Sequence, residues 1–248
     1  MNYNFMKHAL KITLTLLFLF LLSQLVGLFI VNDFLVQELP YNLERPAIEE
    51  GKSYINIIIL IAIVTVIAFI IAKLKLKNLW KAWFFLSMVV VLSVSFSSFL
   101  NQILAFAIAL ILAFIKTFRK NVILHNLTEI FIYGGIAAIF VPIMNIFSVS
   151  ILLIAISVYD FIAVFKSKHM ITLAKFQTEM KLFAGLYIPY GKKEAILGGG
   201  DMAFPLLFTG VLLKDIGNLA FIVPFIVTLA LFSLFLVSKK DRFYPAMP

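Results

Sequence analysis

Two aspartates stand inside apolar stretches of this 248-residue chain, Asp160 six residues before Lys166 and Asp201 eight residues after Lys193. An ionisable group at membrane depth is costly and marks a functional site by default. If both stretches are helical, with a rise of about 1.5 Å per residue, the two carboxylates sit about 9–12 Å from the same boundary. The stretches run in opposite directions, so the carboxylates can meet. Two such groups a few ångströms apart do not both ionise easily and share one proton. The ionised member polarises a water while the protonated member donates to a carbonyl. This is acid–base hydrolysis, and it calls for no metal and no cofactor, in a chain with no Cys and only three His. The alternative is two separate aspartates, each satisfied by a backbone or hydroxyl partner.

Around Asp201 the sequence is unusual. Gly198, Gly199 and Gly200 remove three side chains just before the carboxylate, which opens room for another backbone or a substrate. Pro205 cannot donate to the Asp201 carbonyl, so the helix is predicted to be irregular at Asp201. Irregular backbone in a bilayer belongs where it is buried in protein or lines a wet cavity. On their own, the glycines also fit a small-residue packing face. His125 and Glu129 are four apart, too few ligands for a metal, and read as an interfacial pair at the start of a span. Trp80 and Trp83 beside Lys81 read as an interfacial anchor.

Composition dictates the scaffold that holds these residues. With 63% hydrophobic and 13% charged residues, against about 25% charged in soluble domains, the solvent is lipid. Apolar runs at 12–31, 54–72, 82–115, 122–165, 195–213 and 216–237 are all long enough to span. The first exceeds a typical signal-peptide core and lacks a small-residue cleavage site, so it reads as a span. The 82–115 run would make a helix of about 50 Å against a hydrocarbon core of about 30 Å. It must fold back near Ser97, Ser98, Asn101 and Gln102, and the 122–165 run likewise near Asn145–Ser150.

The prediction is an all-α polytopic membrane protein, a bundle of eight to nine transmembrane helices forming one domain over residues 1–248. Its N-terminal spans cover about 12–115, and the spans carrying the aspartates cover 148–165 and 195–213. A short tail from Phe243 resembles the first turn of a ninth. With the N-terminus and the aspartate end cytoplasmic, all but Arg45, Lys52 and Lys214 of the 21 Lys and Arg fall on the inner side. The formal charge of +9 therefore reports topology, and no nucleic-acid partner is implied. The inner loop 166–194 mixes polar and apolar residues and is expected to lie partly on the membrane surface.

Tyr159-Asp160 in one span, Gly198-x-Gly200-Asp201 at the start of the next and Pro245-Ala246-Met247 near the C-terminus resemble the YD, GxGD and PAL motifs of the presenilin and signal peptide peptidase family, here in the form of a compact microbial homologue. Met247 stands where the third motif has Leu. The resemblance implies an intramembrane aspartic endopeptidase that hydrolyses transmembrane segments or remnant signal peptides, with Asp160 and Asp201 catalytic. It also implies that Tyr159, Gly198, Gly199, Gly200 and the 245–247 segment support the active site, and that the partners are transmembrane substrates in a lipid bilayer. Three rival readings stand beside it. A prepilin-type peptidase also carries GxGD but cuts at the membrane surface. A proton- or cation-coupled transporter would use the aspartate pair to bind its ion, but usually repeats its broken helices in both halves. A non-catalytic membrane chaperone would keep the fold alone.

Overall fold

The computed structural model describes residues 10–46, 48–119, 121–165, 173, 176–177, 179–180, 182–191 and 193–237. Among these the α-helices are α1 (Leu10–Val36), α2 (Ser53–Lys73), α3 (Lys77–Ser97), α4 (Gln102–Phe118), α5 (Val122–Phe140), α6 (Ile146–Phe165), α7 (Gly199–Ile216) and α8 (Val223–Val237). A two-stranded hairpin, β1 (Gly185–Tyr190) and β2 (Lys193–Gly198), precedes α7. Among the described residues, five stretches are long and apolar enough to cross a bilayer: Leu10–Val36, Ser53–Lys73, Lys77–Ser97, Val122–Ile143 and Gly199–Leu236. The outward faces carry large apolar side chains such as Phe18, Ile63 and Ile103, as expected where the surrounding solvent is hydrocarbon.

Asparagines set where the helices begin. The Asn101 side chain accepts from the Leu104 N–H at 2.9 Å, and Asn121 accepts from Ile123 and Leu124 at 3.0 and 3.1 Å. Asn145 accepts from Ser148 at 2.8 Å. Each satisfies N–H groups that the first helical turn leaves without partners, a contribution of about 1 kcal/mol per cap. The 82–115 run thus breaks between Ser97 and Gln102. The second long run breaks slightly earlier than its polar residues suggested, at a short 3₁₀ turn over Val141–Ile143. Pro142 cannot continue the ladder there, Asn145 caps α6, and Ser148 and Ser150 already belong to that helix.

The run expected to begin a span at 195 instead divides at Gly198. Gly185 pairs with Gly198, Leu186 with Leu197 and Tyr190 with Lys193, closed by a turn in which Gly191 has φ +57°. Leu186, Ala195 and Leu197 are buried while Ile196 faces outward, the two-residue alternation of a half-covered strand. The depth assigned to Asp201 from helical rise therefore does not hold, because a strand advances about 3.3 Å per residue.

Helix α1 lies at the centre, against α5, α7, α8 and the hairpin. It meets α5 closely, since a Cβ on Gly134 would lie 3.1 Å from the Gly27 Cα and against the Ile30 side chain. Small residues let membrane helices approach in this way. Gly134→Val is expected to push α1 away and lower stability by about 1–3 kcal/mol, read as an earlier thermal transition in detergent. Helix α3 packs on α4 through Ala105, Ala109 and Ala113, spaced one turn apart beneath Leu92 and Phe96. Trp80 is not the interfacial anchor its neighbours suggested. It is buried, with ring centroids 5.4 Å from Phe176 and 6.1 Å from Trp83.

Candidate active site

Asp201 is the third residue of α7, and its position is set by how the helix starts. Gly198 ends β2 with extended backbone and serves as the N-cap. The Gly198 backbone N–H donates to the Asp201 carboxylate, as an acidic residue at this position commonly does in closing a helix start. The positive end of the helix dipole favours an anion there as well. The glycines before Asp201 do different things. A Cβ at Gly198 would lie 3.1 Å from the Asp201 Oδ2, so the bare backbone leaves room for the carboxylate to fold back. A Cβ at Gly199 would press at 3.0 Å on both the Tyr133 hydroxyl and the Ala184 side chain. At Gly200 it would only touch the Phe204 ring. The irregularity predicted at Asp201 is not found there: the chain passes from strand to helix at Gly198, and α7 runs through Asp201 and Pro205 to Ile216.

Asp160 is on α6, which packs against both α2 and α7. It is partly buried, and its charge acts on Asp201 across the α6–α7 contact. Its neighbour Tyr159 projects about 100° away around the helix and hydrogen-bonds Thr65 on α2. Gln24 of α1, fully buried, donates to the Met202 carbonyl at 2.9 Å. That bond ties the central helix to the residue after Asp201. Pro245, Ala246 and Met247 lie outside the described residues. No cluster of three or more His, Cys, Asp or Glu suited to a metal occurs among the described residues.

Behind the hairpin lies a polar network that sequence reading missed. Lys116 at the end of α4 and Glu129 on α5 form a buried ion pair of 2.6 Å, their side chains 1% and 0% exposed. Lys116 also donates to the Thr128 hydroxyl at 3.1 Å and meets His125 Nδ1 at 3.2 Å. The other Glu129 oxygen accepts from the Tyr133 hydroxyl and from the Gly185 N–H at 2.8 Å. His125 Nε2 is 2.8 Å from the Gly185 carbonyl, and Asn126 brackets Tyr187, donating to its carbonyl at 2.7 Å and accepting from its N–H at 2.9 Å. His125 and Glu129 do meet, at 4.0 Å, but Glu129 is fully buried and takes Lys116 as its close partner. The hairpin had a legible signal, a glycine turn between Tyr-Ile-Pro-Tyr and Glu-Ala-Ile-Leu. The ion pair did not, since each member lies at the edge of an apolar run.

The sequence profile of the family described as signal-peptide peptidase, presenilin aspartyl protease, matches residues 17–203. No curated protein matches the chain significantly. Among solved structures, the fold is similar to that of a presenilin family intramembrane aspartate protease, with a TM-score of 0.52 at 20% identity. That match covers 80% of this chain and 75% of the other.

Proposed function

The chain belongs to the signal-peptide peptidase and presenilin family of aspartyl proteases, and from this premise we propose that Asp160 and Asp201 form the catalytic dyad of an endopeptidase cutting within the bilayer. Family membership makes the protein a multi-pass membrane protein of the intramembrane aspartic protease type, acting on transmembrane substrates. The observation that carries the finer reading is that Asp201, on the first turn of α7, lies within electrostatic reach of Asp160 on α6.

In the proposed reaction one proton is held between the two carboxylates. The ionised aspartate takes a proton from water as the oxygen attacks the scissile carbonyl, and the protonated aspartate donates to the carbonyl oxygen. Collapse of the tetrahedral intermediate returns a proton to the leaving amine and restores the shared state. The Gly198 N–H and the helix N-terminus orient Asp201, while Tyr159 anchors α6 to α2 beside Asp160. Gly198 leaves room for the Asp201 carboxylate, and Gly199 leaves room for the Tyr133 hydroxyl behind it.

The same reading extends to the architecture. Residues 1–248 form one domain whose helices make a bundle of eight to nine spans, with the N-terminus and the aspartate end on the cytoplasmic side. The Pro245-Ala246-Met247 segment would approach Asp201. Substrates are transmembrane segments of other proteins or remnant signal peptides. Purified protein incubated with a labelled transmembrane peptide should yield internal cleavage products, suppressed by an aspartic-protease transition-state inhibitor. Products that persist unchanged with saturating inhibitor would overturn the proposal.

A further inference from the structure

We propose that Glu129 is a positioning residue for Asp201, acting through Gly185 and Tyr133 and held in place by Lys116. This rests on the reading of Asp201 as catalytic. The connection runs from atom to atom. Glu129 accepts from the Gly185 N–H at 2.8 Å, and one helical turn earlier His125 Nε2 lies 2.8 Å from the carbonyl of the same residue. Two side chains of α5 therefore grip both polar groups of one residue. Gly185 is the first residue of β1 and pairs with Gly198, the residue whose N–H holds the Asp201 carboxylate. The next residue, Gly199, donates its N–H to the Ala184 carbonyl at 3.1 Å, which secures the base of the hairpin a second time.

Gly185 has φ +136°, and a Cβ there would collide with the Leu197 carbonyl oxygen, so the close approach of the two strands requires glycine. Tyr133, its hydroxyl bound to Glu129, packs where a side chain at Gly199 would otherwise sit. Its environment includes the charge of Asp201. Position in the fold thus passes from α5, through one carboxylate, to the first turn of α7.

Stability alone does not account for this carboxylate. A buried ion pair is commonly no more stabilising than apolar residues of the same volume, and here it lies between two apolar helices. What apolar residues would not supply is a fixed acceptor for the Gly185 N–H and the Tyr133 hydroxyl. That acceptor sets the height and rotation at which the chain enters α7.

The test uses the full chain in detergent, steady-state cleavage of a labelled transmembrane peptide, and hydrogen exchange over residues 182–200. Lys116→Met with Glu129→Leu removes both charges and the acceptor together. Lys116→Met with Glu129→Gln removes the charges but keeps an acceptor. In the leucine variant kcat is expected to fall about 10- to 100-fold with KM changed less than about 2-fold, as a misplaced catalytic group produces. Exchange over 182–200 should rise while that of α3 stays as in the wild type. The glutamine variant should recover most of the lost kcat and the protection. Tyr133→Phe, which removes a single hydroxyl, covers the case in which the leucine variant does not fold, and should lower kcat several-fold by the same route.

Full cleavage together with wild-type protection in the leucine variant or, if that variant does not fold, in Tyr133→Phe would overturn the proposal. So would equal losses in the leucine and glutamine variants. Asp201→Asn is assayed alongside. Should that variant cleave like the wild type, the proteolytic reading falls, and the exchange measurements still decide whether Glu129 anchors the hairpin.

Discussion

Asp160→Asn and Asp201→Asn are each expected to reduce cleavage of a transmembrane peptide by about 10³-fold or more while leaving the bundle folded. The size reflects the chemistry, since positioned general acid–base groups contribute about 10²- to 10⁴-fold and the proposed mechanism uses each carboxylate both ways. An amide neither ionises nor passes a proton on. It does keep the shape and the capacity to accept, so Asn at 201 can still take the Gly198 N–H that orients the native carboxylate. Removing like-charge repulsion between α6 and α7 should leave the thermal transition unchanged or slightly higher. A pair that bound a coupling cation predicts the reverse, with lower stability and loss of any ion-dependent stabilisation. The measurement is therefore double, peptide cleavage and melting temperature for each variant. Near-normal cleavage by either one would remove that aspartate from the mechanism.

The second large effect is on stability. Replacing one member of the Lys116–Glu129 pair, by Lys116→Met or Glu129→Leu, should lower unfolding stability by about 3–5 kcal/mol, because the partner stays as an uncompensated buried charge. Removing both together should recover most of that loss. The partners are not equally placed to survive alone. After Lys116→Met, Glu129 keeps two donors, Tyr133 and Gly185, whereas after Glu129→Leu the ammonium keeps only Thr128 and the His125 contacts and the Gly185 N–H is stranded as well. Glu129→Leu is thus expected to be the more damaging single change. Unfolding in mild detergent, monitored by circular dichroism, measures all three variants. Losses in the double variant equal to the sum of the single ones would show that the pair is not coupled.

The breaks in the two long apolar runs were legible because their cause is local. Asn101 and Asn145 cap the helices that begin beside them, and a cap needs only the next three residues. Asp160 and Asp201 were legible for a different reason, as carboxylates in surroundings where they are costly. The glycine turn of the hairpin was outweighed because Ala195, Ile196 and Leu197 read equally well as the start of a membrane helix; hydropathy does not distinguish a strand paired with β1 and packed on α7 from a helix facing lipid. Lys116 stood out in the sequence only as one of the inner-side cations. Its partner Glu129 is brought beside it only when α4 and α5 pack, across a turn that Asn121 closes. Trp80 was misplaced for the same reason, as Phe176 covers it from a distant part of the chain.

The two ends of the hairpin are held very differently. Its base, Gly185 opposite Gly198, is pinned by α5, while its tip at Gly191 is exposed and has no atom within 4 Å of where a Cβ would sit. Residues added at the tip would extend away from the bundle without changing how the chain enters α7. The connection between the two aspartate-bearing helices can therefore grow, shrink or acquire a new module over the history of a lineage while Asp201 keeps its place.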